Sequence, residues 1–539
     1  MKCDFSSLTG RHFDLLVCGG GIYGAWTAYD AALRGLSVAL VEQGDWASAT
    51  SSASTKLIHG GLRYLETHDF KLVRKALAER QLLLQIAPHR VWPLRFGVPV
   101  YEDSRVGMLR LAAGLTLYDL LAGMPGAEMA HRRFGRQDFL ERFPLLDGTG
   151  LKGGYSYGDA QTDDARLVLE LVAGAQAAGA VCMNHCRLQE TVGSAGRACG
   201  ALVEDLTDGR RAQVTARQIV NTGGQWMASV PPARDWCRMD KGIHLVMPHA
   251  LDAALLLTAK ADGRVLFMIP WYERTLLGTT DANFCGDPDS VAVEPEEVAY
   301  LLAGANHYLK TRWTERDIIG SYAGVRVMKR SSAAPAASAS RDWELKTAPD
   351  GVHYSIGGKI TSAREDAARI VDAVCAELGV KRSCRTASRS FPWAPDGDYA
   401  AWEQATGAKA ERLGIAPGSA LWLMRRHGRH AEDILRLVAD DATLAGRIVP
   451  DLPFIHAELL WSAREEMVVH LDDLLRRRMP LLILARLTEA ELHRIAGTVA
   501  VTLGWDEIEV DRQVEACRSG GSRDESRLPP LLHQTMPAI

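Results

Sequence analysis

Along the first fifty residues the apolar positions change period twice. Phe13-Asp14-Leu15-Leu16-Val17-Cys18 is a short, nearly continuous apolar run, the pattern of a buried strand. Gly19-Gly20-Gly21-Ile22-Tyr23-Gly24 interrupts it, after which Ala25, Ala28 and Ala32 recur at helical spacing. Arg34-Gly35 then places a cation and a glycine where a helix ends. Leu36-Ser37-Val38-Ala39-Leu40-Val41 is a second strand-like run, and it closes on Glu42. Strand- and helix-like stretches return near 163–225 and 352–380. From about residue 390, past the proline-bearing Phe391-Pro392-Trp393-Ala394-Pro395, the pattern is helical to the end, with a poorly ordered terminus expected from Ser519 onward. The segment from Val106 to Leu121 is apolar except for interruptions such as Arg110 and Asp119. It is too broken to span a bilayer and reads either as a buried helix or as one lying in a lipid headgroup layer.

Strand, Gly19-x-Gly21-x-x-Gly24, helix and a second strand ending in an acid together form a βαβ dinucleotide fingerprint. Glycines let the backbone approach a pyrophosphate, the helix N-terminus supplies partial positive charge, and the acid bonds ribose hydroxyls. After Glu42 the chain does not repeat the unit. It enters Trp46-Ala47-Ser48-Ala49-Thr50-Ser51-Ser52-Ala53-Ser54-Thr55-Lys56-Leu57, rich in hydroxyls and small side chains, which suits a loop wrapping an extended ligand. That narrows the dinucleotide to FAD. Asn221-Thr222-Gly223-Gly224 follows the strand-like Gln218-Ile219-Val220 and is placed as a second contact to it.

Composition removes other classes. The 539 residues are 47% hydrophobic and 24% charged, ordinary for a globular chain, and long enough for two or three domains. A formal net charge of -4 argues against a nucleic-acid partner. Cys182 and Cys186 are the only close cysteine pair and match neither a zinc knuckle nor a redox Cys-x-x-Cys, so no metal is expected and the thiols read as reduced. The start, Met1-Lys2-Cys3-Asp4-Phe5, has no basic stretch leading into an apolar run, so no signal peptide is expected and the location reads as cytoplasmic.

Longer runs carry a family resemblance. Ser51-Ser52-Ala53-Ser54-Thr55-Lys56-Leu57-Ile58-His59-Gly60-Gly61-Leu62-Arg63-Tyr64 strongly resembles the signature of the FAD-dependent, quinone-linked aerobic glycerol-3-phosphate dehydrogenases. Asp163-Asp164-Ala165-Arg166, Lys241-Gly242-Ile243-His244, Gly278-Thr279-Thr280-Asp281, Tyr322-Ala323-Gly324-Val325-Arg326, Ser340-Arg341-Asp342-Trp343 and Gly357-Gly358-Lys359-Ile360-Thr361 follow in family order. Asp472-Asp473-Leu474-Leu475-Arg476-Arg477-Arg478 is similar to the family's helical cap. The resemblance implies an α/β, D-amino-acid-oxidase-like flavoprotein. A doubly wound FAD domain would comprise 1–90, 151–225 and 331–389, a mixed-sheet substrate domain 91–150 and 226–330, and a helical C-terminal domain 390–539.

The resemblance also implies oxidation of a secondary alcohol by hydride transfer to FAD, with sn-glycerol 3-phosphate as substrate. A quinone acceptor, peripheral contact with the inner face of the membrane and a homodimer are implied with it. In these roles His244 is the general base, its intrinsic pKa lying near operating pH, and Arg326 stabilises the alkoxide. Arg63, Tyr64, Arg341 and Lys359 bind the substrate's phosphate end. Gly19, Gly21, Ile22, Gly24, Glu42, Thr50, Ser51, Ser52, Lys56, Leu57, Thr222, Gly223, Gly358, Lys359, Ile360 and Thr361 hold FAD. Ser362-x-x-Glu365 reads as a capping box that would aim a helix N-terminus at the flavin. Tyr23, Trp26, Val327, Met328 and Ala363 depart from the family pattern, which leaves another phosphorylated or anionic polyol open, with oxygen or a protein as acceptor. A flavin-binding sensor without catalysis is the alternative of another class, but it would have no use for His244, Arg326 and Arg341.

Overall fold

The computed structural model describes residues 1, 4–66, 68–330 and 343–520. Two sheets organise them. The first runs, edge to edge, Glu344–Thr347, His353–Ile356, Arg211–Asn221, His12–Cys18, Val38–Val41 and Val181–Met183. Its last five strands are parallel, and Arg197–Asp205 and Cys186–Ser194 extend it as an antiparallel flap. Side chains alternate across the pleat. Leu15 and Val17 enter one core with the helices Ile22–Leu33, Asp164–Ala177 and Ala363–Leu378, while Leu16 and Cys18 enter another with Leu8, Val203 and Val214.

The second sheet has ten strands and is mixed, with Val91–Tyr101 and Ala254–Thr258 parallel and its other pairs antiparallel. The Leu151–Thr162 strand belongs here, paired along its length with Val91–Tyr101. So does the short strand Leu57–Ile58. Both lie in segments that the sequence reading assigns to the FAD domain. Neither stretch says which sheet it joins, because Leu151–Thr162 is buried on both faces and its partner is chosen only in three dimensions. Helices from Tyr399 to Gly520 make up the remainder; beyond Gly520 the terminus expected to be poorly ordered lies outside the described residues.

The Met108–Leu121 helix is not the buried helix that was one reading of this segment. Only Leu115, Tyr118 and Asp119 are buried, while Leu109 is 86% exposed, Leu120 61% and, just beyond, Met124 70%. No described helix is long and apolar enough to cross a membrane.

Buried ion pairs tie the first domain to the helical one. Arg166 pairs with Glu466 at 2.6 Å and donates to the Arg426 carbonyl. Arg90 pairs with Glu170 at 2.9 Å and donates to the Arg425 and Arg426 carbonyls. Arg426 and His427 both meet Glu458. Burial alone would raise the two glutamates, but His89 and Arg90 hold Glu170 at about 2, and Arg426 and His427 hold Glu458 at about 2. A carboxylate depressed in the folded state stabilises it fully above the unfolded value near 4.5 and loses that contribution as pH falls toward 2. Each contributes on the order of 3 kcal/mol. The urea midpoint is therefore expected to drop steeply between pH 5 and pH 3, and an unchanged midpoint over that range would contradict the pairing.

Candidate active site

A cavity of about 520 Å³ opens where the C-terminal ends of the parallel strands meet the second sheet. That is the usual ligand crevice of a doubly wound sheet, and the size is ordinary for a small-molecule or cofactor site. The first strand ends at Cys18, and the turn Gly19–Gly21 leads into the Ile22–Leu33 helix. Gly19 has φ +108°, and a Cβ there would lie 2.7 Å from the Thr222 carbonyl oxygen. At Gly24 a Cβ would collide with the Gly19 carbonyl, so the helix packs directly on the turn. This is a backbone cradle that side chains would fill, and it fits a pyrophosphate at a helix N-terminus. Ser51 Oγ accepts the first helical N–H, from Ile22, at 2.9 Å.

Glu42 lines the cavity with its carboxylate fixed by the N–H groups of Gly20 (2.5 Å) and Gly44 (2.8 Å). Burial raises its pKa above the ordinary glutamate value, against the lowering effect of those two hydrogen bonds. Gly19, Gly21, Ile22, Thr50, Ser51, Leu57, Thr222, Gly223, Gly358, Lys359, Ile360 and Thr361 also line the cavity. Gly24, Ser52 and Lys56 do not. Gly24 serves packing, and Ser52 Oγ donates to Ala49 O at 3.3 Å. Lys56 Nζ is buried on Asp164 (2.7 Å) and the Ser52 carbonyl (2.6 Å), facing the rings of Trp271 and Tyr322. It braces the floor of the site instead of reaching into it.

The second sheet supplies the reactive wall. His244, only 3% exposed, has its Nε2 3.0 Å from Thr55 Oγ1 and stacks on Tyr322 with ring centroids 4.8 Å apart. Burial, then the charges of Lys56 and Arg326, push the imidazole from 6.5 down to about 3, so it is neutral. Its Nδ1 has no hydrogen-bond partner among the described residues. Arg326 pairs with Asp281 at 2.8 Å and lies on the same cavity. Lys359 Nζ sits 3.7 Å over the Tyr64 ring. The turn Leu62–Leu65 that brings Tyr64 inward leaves Arg63 exposed and outside the lining, so Arg63 does not join the cluster. Arg341 falls outside the described residues.

One further difference from the sequence reading concerns the Gly357–Ala363 turn. No capping box forms at Ser362, because its Oγ donates to Asp366 at 3.0 Å. Asp366 is also the acceptor for Tyr23, whose hydroxyl donates at 2.9 Å and accepts from the Lys359 N–H at 3.0 Å. Tyr23, Val327 and Met328 line the cavity, whereas Trp26 is in the core against Phe391 and Ala363 is buried. Thr55, Tyr322 and Asp281, which position His244 and Arg326, were not singled out from sequence. All three lie inside the runs that carried the resemblance, Thr55 next to Lys56 and Tyr322 four residues before Arg326, whereas Asp281 has no singled-out residue near it in the chain.

Sheet, cradle and cavity define an FAD-dependent oxidoreductase of the D-amino-acid-oxidase-like fold. The sequence model of the family described as FAD dependent oxidoreductase matches residues 14–364, and that of the C-terminal domain of alpha-glycerophosphate oxidase matches residues 384–510. A glycerol-3-phosphate dehydrogenase of Synechocystis sp. is 35% identical over 95% of this chain and 97% of its own. Glycerol-3-phosphate dehydrogenase 2 of Mycobacterium tuberculosis is 34% identical over 94% and 87%. The crystal structure of the Bacillus halodurans glycerol-3-phosphate dehydrogenase complexed with FAD superposes with a TM-score of 0.78 at 26% identity, covering 96% of each chain. Glycine oxidase of Geobacillus kaustophilus, 19% identical with a TM-score of 0.52, shares the fold. The chain belongs to the FAD-dependent glycerol-3-phosphate dehydrogenase family.

Proposed function

We propose that the protein oxidises sn-glycerol 3-phosphate to dihydroxyacetone phosphate and passes the electrons to a membrane quinone. The observation that carries the substrate reading is one cavity that holds the dinucleotide cradle, a neutral, buried His244 under the charge of Arg326, and Lys359 over the Tyr64 ring. Bound FAD supplies the two-electron acceptor for the hydride leaving the carbinol carbon. Gly19–Gly21, the N-terminus of the Ile22–Leu33 helix and Glu42 would hold its ADP half, and Tyr23 with Gly358–Thr361 would border its flavin end. Lys359, Arg326 and Tyr64 bind the phosphate and orient the alcohol. His244, steadied by Thr55 and Tyr322, takes the hydroxyl proton, and Arg326 stabilises the negative charge on that oxygen. A phosphate dianion offsets the cationic charges that depress His244, so substrate binding raises the basicity of the imidazole.

Anaerobic bleaching of the flavin across a panel of phosphorylated polyols tests the substrate. Bleaching by glycerol 3-phosphate at the lowest concentration supports it; selective bleaching by another polyol replaces it. Reduction of a soluble quinone analogue against oxygen uptake decides the acceptor.

Quinone use requires contact with lipid. Leu109 and Leu120 stand exposed on the Met108–Leu121 helix and Met124 just beyond it, with Arg110, Arg132 and Arg133 exposed nearby in the chain, a combination suited to an anionic bilayer surface. Flotation with anionic vesicles is expected to fall about tenfold or more in Leu109→Ser/Leu120→Ser. If the wild type stays at the bottom of the gradient, the membrane reading is lost.

A further inference from the structure

The loop after Glu42, residues 43–48, is gripped from two sides. On one side it leans on the glycine turn. The Ala47 N–H donates to the Gly20 carbonyl at 3.1 Å, and Trp46 packs so closely that a Cβ on Gly20 would lie 2.5 Å from its ring. On the other side the buried Asp45 carboxylate accepts from Arg477 Nε at 2.6 Å and from both terminal nitrogens of Arg478, one of them at 2.9 Å. These arginines stand on the helical turn Leu474–Arg478, more than 400 residues along the chain, in the region matched by the C-terminal family model. Asp473 extends the grip, accepting from Arg477 at 3.0 Å and lying 3.0 Å from His185 Nε2. Asp45, His185 and Asp473 are grouped closely enough for a metal ion, but guanidinium groups already neutralise the two carboxylates.

Glu42, Gln43, Ala47 and Ser48 line the cavity, whereas Asp45, Arg477 and Arg478 do not. We propose that Arg477 and Arg478 are positioning residues for the cofactor. Through Asp45 they press the 43–48 loop onto the glycine turn, so the C-terminal helical region governs how tightly the ADP half of FAD is retained. Asn184 Nδ2 also donates to this carboxylate, at 3.2 Å. Removing the Arg478 guanidinium leaves it buried with Arg477 and Asn184 alone, and the loop relieves that by moving out of the cavity wall. The inference rests on the reading that Glu42 and the glycine turn hold the ADP half.

The test compares Arg478→Met, Arg478→Lys and Asp45→Asn with Arg166→Met, which breaks a buried ion pair between the same two regions without touching the loop. FAD and ADP affinities of each apoprotein are measured by flavin fluorescence and by ADP competition, alongside thermal unfolding. Arg478→Met and Asp45→Asn are expected to weaken FAD about 30-fold or more and ADP by a similar factor. Arg478→Lys should be intermediate, and Arg166→Met should stay within about threefold of wild type despite a comparable loss of stability. Equal loss of FAD in Arg478→Met and Arg166→Met, or in neither, overturns the proposal, because the arginines then only join the two regions. Loss of FAD affinity with ADP affinity intact leaves the arginines as retention residues and instead refutes the assignment of the ADP half.

Discussion

Replacement of His244 by asparagine is expected to slow anaerobic flavin reduction by glycerol 3-phosphate about 10²- to 10⁴-fold while FAD stays bound. Asparagine can still meet Thr55 but cannot accept the hydroxyl proton at neutral pH. Burial and the charges of Lys56 and Arg326 keep His244 deprotonated in the free protein, and the substrate's phosphate offsets part of that charge, so its proton affinity rises on binding. The sign of the pH dependence follows. An imidazole depressed to about 3 is neutral throughout the working range, so protonation of His244 contributes no loss of kred/Kd near its ordinary 6.5. Single-turnover stopped-flow absorbance from pH 5 to pH 9 measures both quantities. A variant rate within threefold of wild type would remove His244 as the base and return the role to another residue of the cavity. Thr55→Val, which removes the hydroxyl beside Nε2 but leaves the base, is expected to cost about tenfold.

Gly24→Val is expected to yield protein purified without flavin, with FAD affinity lowered about 10²-fold or more. The obstacle is backbone, not side chain. A Cβ at Gly24 meets the Gly19 carbonyl and lies 2.8 Å from Thr222 Oγ1, so the Ile22–Leu33 helix must lift away from the sheet. Lifting it also withdraws the N–H groups that face the pyrophosphate site. Equilibrium titration of the apoprotein with FAD checks the affinity, and far-UV circular dichroism checks that the fold survives. Gly418→Ala is the control: that glycine lies in the helical region with open space around it, so binding there should be unchanged. Full flavin occupancy in Gly24→Val would show that the turn is not the pyrophosphate cradle.

Much of the site could be read locally because its chemistry is local. The glycine turn, Glu42 at the end of the second strand and the hydroxyl-rich loop each occupy a few consecutive residues, and hydrogen bonding and backbone sterics give them meaning without a tertiary partner. His244 and Arg326 were legible through their flanking runs. Lys56 and Arg63 lie outside the cavity lining, and their run says nothing about which way a long side chain turns. Lys56 turns inward to Asp164, 108 residues further on, and Arg63 outward to solvent.

The sequence by itself determined the cofactor and the first βαβ unit, since apolar period, glycine spacing and a terminal acid act over tens of residues. It also marked where the chain becomes helical. Only the tertiary structure decided that Leu151–Thr162 completes the second sheet, that Thr55 and Tyr322 hold His244, and that Asp45 is clasped by Arg477 and Arg478. The physical reason is common to all three. A strand's partner, an imidazole's proton affinity and the cost of a buried carboxylate depend on which groups approach within a few ångströms. Between groups hundreds of residues apart, that approach is set by how the whole chain packs.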